Sequence, residues 1–185
     1  MEVDNPVLYS CFAQTSGEEV GSSMRKAKKL AKVPGSCVAI VEHTQTFSLP
    51  WNFVDRLNDG LAIILDKMLF SYQQKLNGVP IARGKPKVVE KYSVITEDQP
   101  QFHFPVRCRF AVFRPETGAI LPARVVRVDE GQIVCSVYGV VTANIWRKHE
   151  RKQKAKASVD DQVMLKVHRV RLFRRLMQID AELVK

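Results

Sequence analysis

The chain has 185 residues, 45% hydrophobic and 26% charged, the balance of a folded protein with room for one large or two small domains. It has no run of ~18 apolar residues, which excludes a membrane-spanning helix, and Met1 to Ser10 carry acids where a secretory signal has a basic start and apolar core. The net charge is +10 and unevenly placed: residues 1–100 hold 12 basic and 11 acidic residues (+1), residues 101–185 hold 17 and 8 (+9).

So basic a C-terminal half suits a polyanion, most simply nucleic acid, or an acidic protein surface. The side chains that would mark an enzyme are not grouped. His43, His103, His149 and His168 lack metal-ligand spacing, and the glycines near 78–85 form no phosphate loop. Asp160-Asp161 reads more simply as a turn before a strand than as a metal pair. Cys11, Cys37, Cys108 and Cys135 have no paired spacing and read as free thiols of a reducing compartment. The expectation is a non-catalytic chain without cofactor or metal.

In chain order, residues 1–35 read as a flexible tail. Gly17, Gly21, Ser22 and Ser23 precede a basic cluster, Arg25, Lys26, Lys28, Lys29 and Lys32, and Pro34-Gly35 closes it. The cluster fits a nuclear import signal or a solvated arm equally. Ser36 to Val41 reads as a short strand. Leu57, Leu61, Ile64, Leu65, Met68, Leu69, Tyr72 and Leu76 then follow helical spacing, with Asn77-Gly78 as the stop. Within that stripe Leu61, Leu65, Leu69 and Tyr72 are the expected core contacts. Val79 to Arg83 and Lys87 to Ile95 read as strands.

From Gln101 the pattern changes to strict alternation. Phe102, Phe104, Val106, Cys108, Phe110 and Val112 share one face; Gln101, His103, Arg107 and Arg109 share the other. Arg114-Pro115-Glu116-Thr117-Gly118 ends this strand. Three β-runs follow, Ile120–Val128, Gln132–Tyr138 and Val140–Ile145. The first changes phase after Val125, which predicts a β-bulge at Val125-Val126 with Leu121, Ala123, Val125 and Val128 in one core and Arg124 and Arg127 outside. Residues 146–156 hold six cations and one acid. Val163, Leu165 and Val167, then Leu172 and Leu176 to Ile179, complete the set.

The phrase "FRPETGAILPARVVRVDEGQIVCSVYGVVTANI", after "EDQPQFHFPV", resembles the large stalk subunits of RNA polymerases, most nearly the polymerase I branch. Phe113, Arg114, Pro115, Gly118, Leu121, Val125, Ala143 and Ile145 match that family's pattern; Ala123 and Asp160 stand where it has glycines. "LDKMLFSYQQKLNGVPIARGKPKVVE" is similar to its helix–turn–strand signature, though Arg83-Gly84-Lys85 departs from the family's phrase. The likeness covers roughly residues 50–184.

The resemblance implies an α+β fold: a small ribonucleoprotein-like tip domain over residues 36–114, then a five-stranded OB-type β-barrel over 115–185. It also implies a nuclear and nucleolar subunit of RNA polymerase I, docked on the polymerase core subunits, with or without a small stalk partner. Such a subunit contacts a polymerase I initiation factor and passes emerging single-stranded RNA in ribosomal RNA transcription. Two rivals stay open: the stalk subunit of another polymerase, and a free-standing OB-type RNA-binding protein. The expected RNA surface combines Arg124, Arg127, Arg147, Lys148, Arg151, Lys152, Lys154 and Lys156 for phosphates with Tyr138 and Trp146 for stacking. The same basic loop also reads as a solvated segment, or as one docked on an acidic partner.

Overall fold

The long alternating stretch forms strand β5 (Gln101–Phe113), and the N-terminal sheet is built on it. The computed structural model describes residues 23–90, 94–95, 101–129, 131–146 and 158–184. All along one edge, β5 pairs antiparallel with β1 (Val38–Pro50). Its other edge takes β2 (Val79–Arg83), β3 (Lys87–Val88) and β4 (Val94–Ile95) in turn. The strand expected over 87–95 is therefore present as two short pieces. The strand expected over 36–41 runs much further, because the polar steps from Glu42 to Thr46 stay in register with Arg109 to Pro105.

Helix α1 (Met24–Leu30) precedes the sheet, and α2 (Leu57–Met68) covers its inner face. Leu61 and Leu65 of α2 are wholly buried with Phe47, Leu49, Phe102, Phe104 and Phe110. Gly60 faces Leu49 so closely that a Cβ there would lie 2.9 Å from its methyls. Arg83 ties β2 to the helix, its Nε and Nη2 donating to the two Asp66 oxygens at 2.6 and 2.9 Å. That hydrogen bonding holds the Asp66 carboxyl below its usual range. A carboxyl so lowered adds stability while ionised, present above the ordinary aspartate value near ~4 and lost as pH falls through the lowered one. Asp66 is exposed, so the effect is small.

The helix is shorter than its sequence stripe. It ends at Met68 because Leu69 turns extended, at ψ 152°, and Phe70 takes a left-handed φ of 62°. Ser71 Oγ and Gln73 Nε2 then donate to the freed Met68 carbonyl. Leu69 is thus a half-buried residue beyond the helix, not a core contact on it. Tyr72 packs, half-buried, toward the other core, and its N–H donates to Arg175 O at 2.8 Å. Asn77-Gly78 still reverses the chain, but after the separate 3₁₀ turn Gln74–Leu76.

Five strands close the C-terminal barrel: β6 (Ile120–Val128), β7 (Gln132–Val137), β8 (Val141–Trp146), β9 (Gln162–Phe173) and β10 (Leu176–Val184). The order around it is β10-β8-β7-β6-β9, with β9 returning to β10. Only β8 and β10 run parallel; every other pair is antiparallel. The protein is therefore α+β with an OB-type barrel. The phase change in β6 is a bulge: the register with β7 shifts between Val125 and Arg127. Val126 is the extra residue, 54% exposed, while Leu121, Ala123 and Val125 are wholly buried and Val128 packs partly buried on the same core.

One hydrophobic cluster crosses from the sheet into the barrel. It joins Val79, Ile81, Ala111 and Phe113 to Leu121, Val125, Ile133, Leu165 and Ile179. Ala27 and Leu30 of α1 belong to it, with Val33 buried just beyond. The basic segment expected to be a flexible arm is thus, from Ser23 onward, a helix docked at the join. Its buried residues recur at three-residue spacing, while Arg25, Lys28, Lys29 and Lys32 face solvent.

Candidate nucleic-acid interface

The outer surface of β6, β7 and β8 carries the described part of the expected RNA site. Directly opposed residues share a face. Arg124 stands opposite Ser136, and Ser136 opposite Thr142. Arg127 stands opposite Val134, and Val134 opposite Asn144. At the far end Gln132 opposes Trp146, and its Nε2 donates to Asn144 Oδ1 at 2.9 Å. Trp146 is 51% exposed. With strands about 4.8 Å apart and about 3.4 Å per residue, the Arg127 and Trp146 backbones stand roughly 12 Å apart.

Each arginine has an acid beside it. Arg124 Nη2 lies 3.1 Å from Asp160 Oδ1, and Arg127 Nε 2.9 Å from Asp129 Oδ2. All four side chains are largely exposed, so these pairs contribute little and are screened by salt. They orient the guanidiniums and leave them open to exchange a carboxylate for a phosphate, a partner Arg grips bidentately.

Asp160 sits where the resembled family has glycine, and the backbone explains why: its φ is 75°. Aspartate is among the few residues that take the left-handed region at modest cost. The turn is held by Asp160 N–H to Val125 O and Val125 N–H to Asp161 O, both 2.9 Å, and by Ser158 N–H to Asp161 Oδ2 at 2.7 Å. Asp160-Asp161 is therefore a turn, and no group of three or more metal-ligating residues occurs among the described residues.

Arg147, Lys148, Arg151, Lys152, Lys154 and Lys156 lie outside the described residues. Their flanks are described: the segment leaves the barrel at Trp146 and returns at Ser158, three residues before the Asp161 carbonyl that bonds Val125. Both described flanks, Trp146 and Ser158, thus lie beside the face that carries Arg124 and Arg127.

Tyr138 does not join this surface. It is 1% exposed, packs edge-on against Phe113 with ring centroids 5.4 Å apart, and donates its hydroxyl to Ser36 O at 3.0 Å. It turns inward because Tyr138 and Gly139 both have positive φ, 55° and 72°, the geometry of a tight β7–β8 hairpin turn. Sequence reasoning also missed the Gln132–Asn144 bond that braces the face beside Trp146. Their polar character at alternate strand positions was the available signal.

Of the thiols, Cys37, Cys108 and Cys135 are free. Burial pushes Cys135 up to about 11, which keeps it a neutral, unreactive packing group at physiological pH. No helix among the described residues is long and apolar enough to cross a membrane.

A helix-backed sheet followed by a closed five-stranded barrel, with arginines and a tryptophan open on the barrel wall, defines an α+β protein of the OB-barrel class. No protein-family model matches the chain. By sequence it is 30% identical over 142 residues to DNA-directed RNA polymerase I subunit RPA43 of Danio rerio, covering 77% of this chain and 34% of that protein. Against the Homo sapiens RPA43 it is 30% identical over 139 residues, 73% of this chain and 41% of the relative. A probable RPA43 of Dictyostelium discoideum is 27% identical over 124 residues, 67% of this chain and 35% of that protein. The chain is a homologue of the RPA43 subunits of RNA polymerase I across about three quarters of its length. It spans about a third to two fifths of the length of the relatives it matches.

Proposed function

We propose that this chain is the large stalk subunit of RNA polymerase I, a nuclear and nucleolar protein without catalytic activity of its own. The observation that carries this reading is its homology to RPA43 subunits from several animals over 139 to 142 residues. In this reading the sheet unit of residues 36–114 docks the stalk on the polymerase core subunits. The unit of residues 115–185 contacts an initiation factor and receives emerging RNA, with or without a small stalk partner. Exposed arginines on β6, the exposed Trp146 and the six cations of residues 147–156 support the RNA role, since OB-type barrels hold single strands by tracking phosphates and stacking bases. A solvated or protein-docked basic segment is the competing reading of those six cations.

RNA titration separates the two. Reversing Lys152, Lys154 and Lys156 to glutamate is expected to weaken single-stranded RNA binding and to reduce the log–log salt slope by about 2, at about 0.7 per lost phosphate contact. Trp146→Ala is expected to cost about 1–3 kcal/mol of affinity with little change in slope, because stacking is not ionic. Little sequence preference should accompany either loss, as phosphates carry no sequence information. An unchanged affinity and slope in the triple reversal would assign the segment to solvent or to a protein partner.

A further inference from the structure

The outer face of the N-terminal sheet, away from α2, brings Lys87 from the near-neutral first hundred residues beside Arg107 and Arg109 from the basic remainder. Lys87 of β3 lies directly opposite Arg107 of β5, which lies opposite Thr44 of β1. Arg109 is the next outward residue along β5, about 6.7 Å on by strand geometry, comparable to the phosphate step of an extended single strand. Thr46 and Ser48 continue the row on β1, the latter with its Oγ 2.6 Å from His103 Nδ1. Glu42 is the one acid among these facing residues; it reaches Arg109 only at 3.7 Å, with both side chains 55% exposed.

Two features point to an anion. Like charges set directly opposite each other across strands destabilise a sheet, and Lys87 faces Arg107 in that way. Folding alone gives no reason for the pair, whereas a bound phosphate would turn the repulsion into shared attraction. The chemistry of the face also selects among polyanions. Protein docking sites centre on aromatic or large apolar anchors, but the aromatics of β5 (Phe102, Phe104 and Phe110) turn to the buried side. Outward on these strands, beside Ile40, Glu42, His103 and Pro105, stand Lys, Arg, Thr and Ser, the side chains that contact nucleic-acid backbones.

From this we infer that the outer face of the N-terminal sheet, through Lys87, Arg107 and Arg109 with the Thr44–Ser48 hydroxyl row, is a second contact for single-stranded RNA, gripping phosphates without stacking bases. It rests on the reading that the chain handles RNA, and it concerns a different surface from the barrel wall.

The test uses the full chain and a fluorescent oligouridylate longer than the about 16 nucleotides that one OB fold covers at most, titrated across a salt series. Lys87→Gln with Arg107→Gln should lower the log–log salt slope by about 1.4, two contacts at about 0.7 each. Affinity at low salt should fall by about tenfold or more on the same grounds. The melting temperature should hold or rise, because the like-charge pair is gone. Arg124→Gln with Arg127→Gln, measured in the otherwise native chain, reports on the barrel wall alone. Loss of binding in the sheet variant but not in the barrel variant would support this inference while sinking the barrel reading. Three results would overturn it: an unchanged slope in the sheet variant, a fall in melting temperature that accounts for the lost binding, or weakened polyglutamate binding with RNA affinity intact.

Discussion

Replacing Tyr138 with alanine should destabilise the protein by about 3–5 kcal/mol, the usual cost of removing a buried aromatic, and lower its melting temperature by roughly 10 °C. The ring fills the join between the two units, edge-on to Phe113, while its hydroxyl reaches back to Ser36 ahead of β1. Alanine would leave a cavity in the one cluster that holds sheet, α1 and barrel together. The loss should be smaller in Tyr138→Phe, about 1 kcal/mol, since only the hydroxyl is removed. Glycine is the informative third variant. It keeps the cavity but relieves the positive φ of 55°, so it should not be much worse than alanine. Urea unfolding of the three proteins would check the series. A tyrosine that stacked on RNA would give the opposite pattern, with native stability and lost RNA affinity, and that outcome would return Tyr138 to the surface.

The second large effect is expected at Gly78. A Cβ built there would lie 2.5 Å from Val112 Cγ1, 2.7 Å from the Phe113 carbonyl oxygen and 2.8 Å from Arg114 Cγ. Val112 is wholly buried, and the Phe113 oxygen is backbone at the end of the central strand. Neither can give way cheaply, so Gly78→Ala should cost about 3 kcal/mol, the upper end for overpacking. The strain falls where Arg114 clasps Leu76 O with Nε and Nη2 at 3.2 and 2.7 Å. Amide exchange should therefore quicken first around Leu76–Ile81 and the end of β5. Native melting and exchange in this variant would show that the turn passes the sheet with room to spare.

Much of this architecture was legible because burial was one-sided. A strand with one wet face must alternate, and β5 does so from Phe102 to Phe110, beyond which both faces are buried. A bulge must break that alternation by one residue, and Val126 is where it breaks. The pattern was weaker wherever burial was partial. Strand β1 continues through Glu42–Thr46, where His43 and Gln45 are only half-buried, so no apolar alternation marks it. Helix α1 buries two alanine- and leucine-sized residues among lysines, and its charge outweighed its spacing. The stripe from Leu57 to Leu76 overran the helix because Leu76 is buried from a different element, the 3₁₀ turn after the reversal at Phe70.

The site was legible to a lesser degree, and for a different reason. Arg124 and Arg127 follow from strand alternation, and Trp146 from its position at the strand end. Tyr138 fails because a turn residue has no face: its direction is set by φ, and Tyr138-Gly139 gives no sign of which way the ring will point until the turn is built. The outer sheet cations were visible in the same alternation that placed Phe102 and Phe104 inside. Their grouping was not, since Lys87 meets Arg107 only through pairing across 20 residues of chain.

The most direct measurement of the central claim is affinity purification of the tagged chain from nuclear extract, under nuclease treatment, followed by quantitative mass spectrometry. The account predicts recovery of the two largest RNA polymerase I subunits in near-equal amount to the chain, retained after RNA is destroyed. Recovery of another polymerase's large subunits, or of ribosomal and RNA-binding proteins that vanish with nuclease, would contradict it.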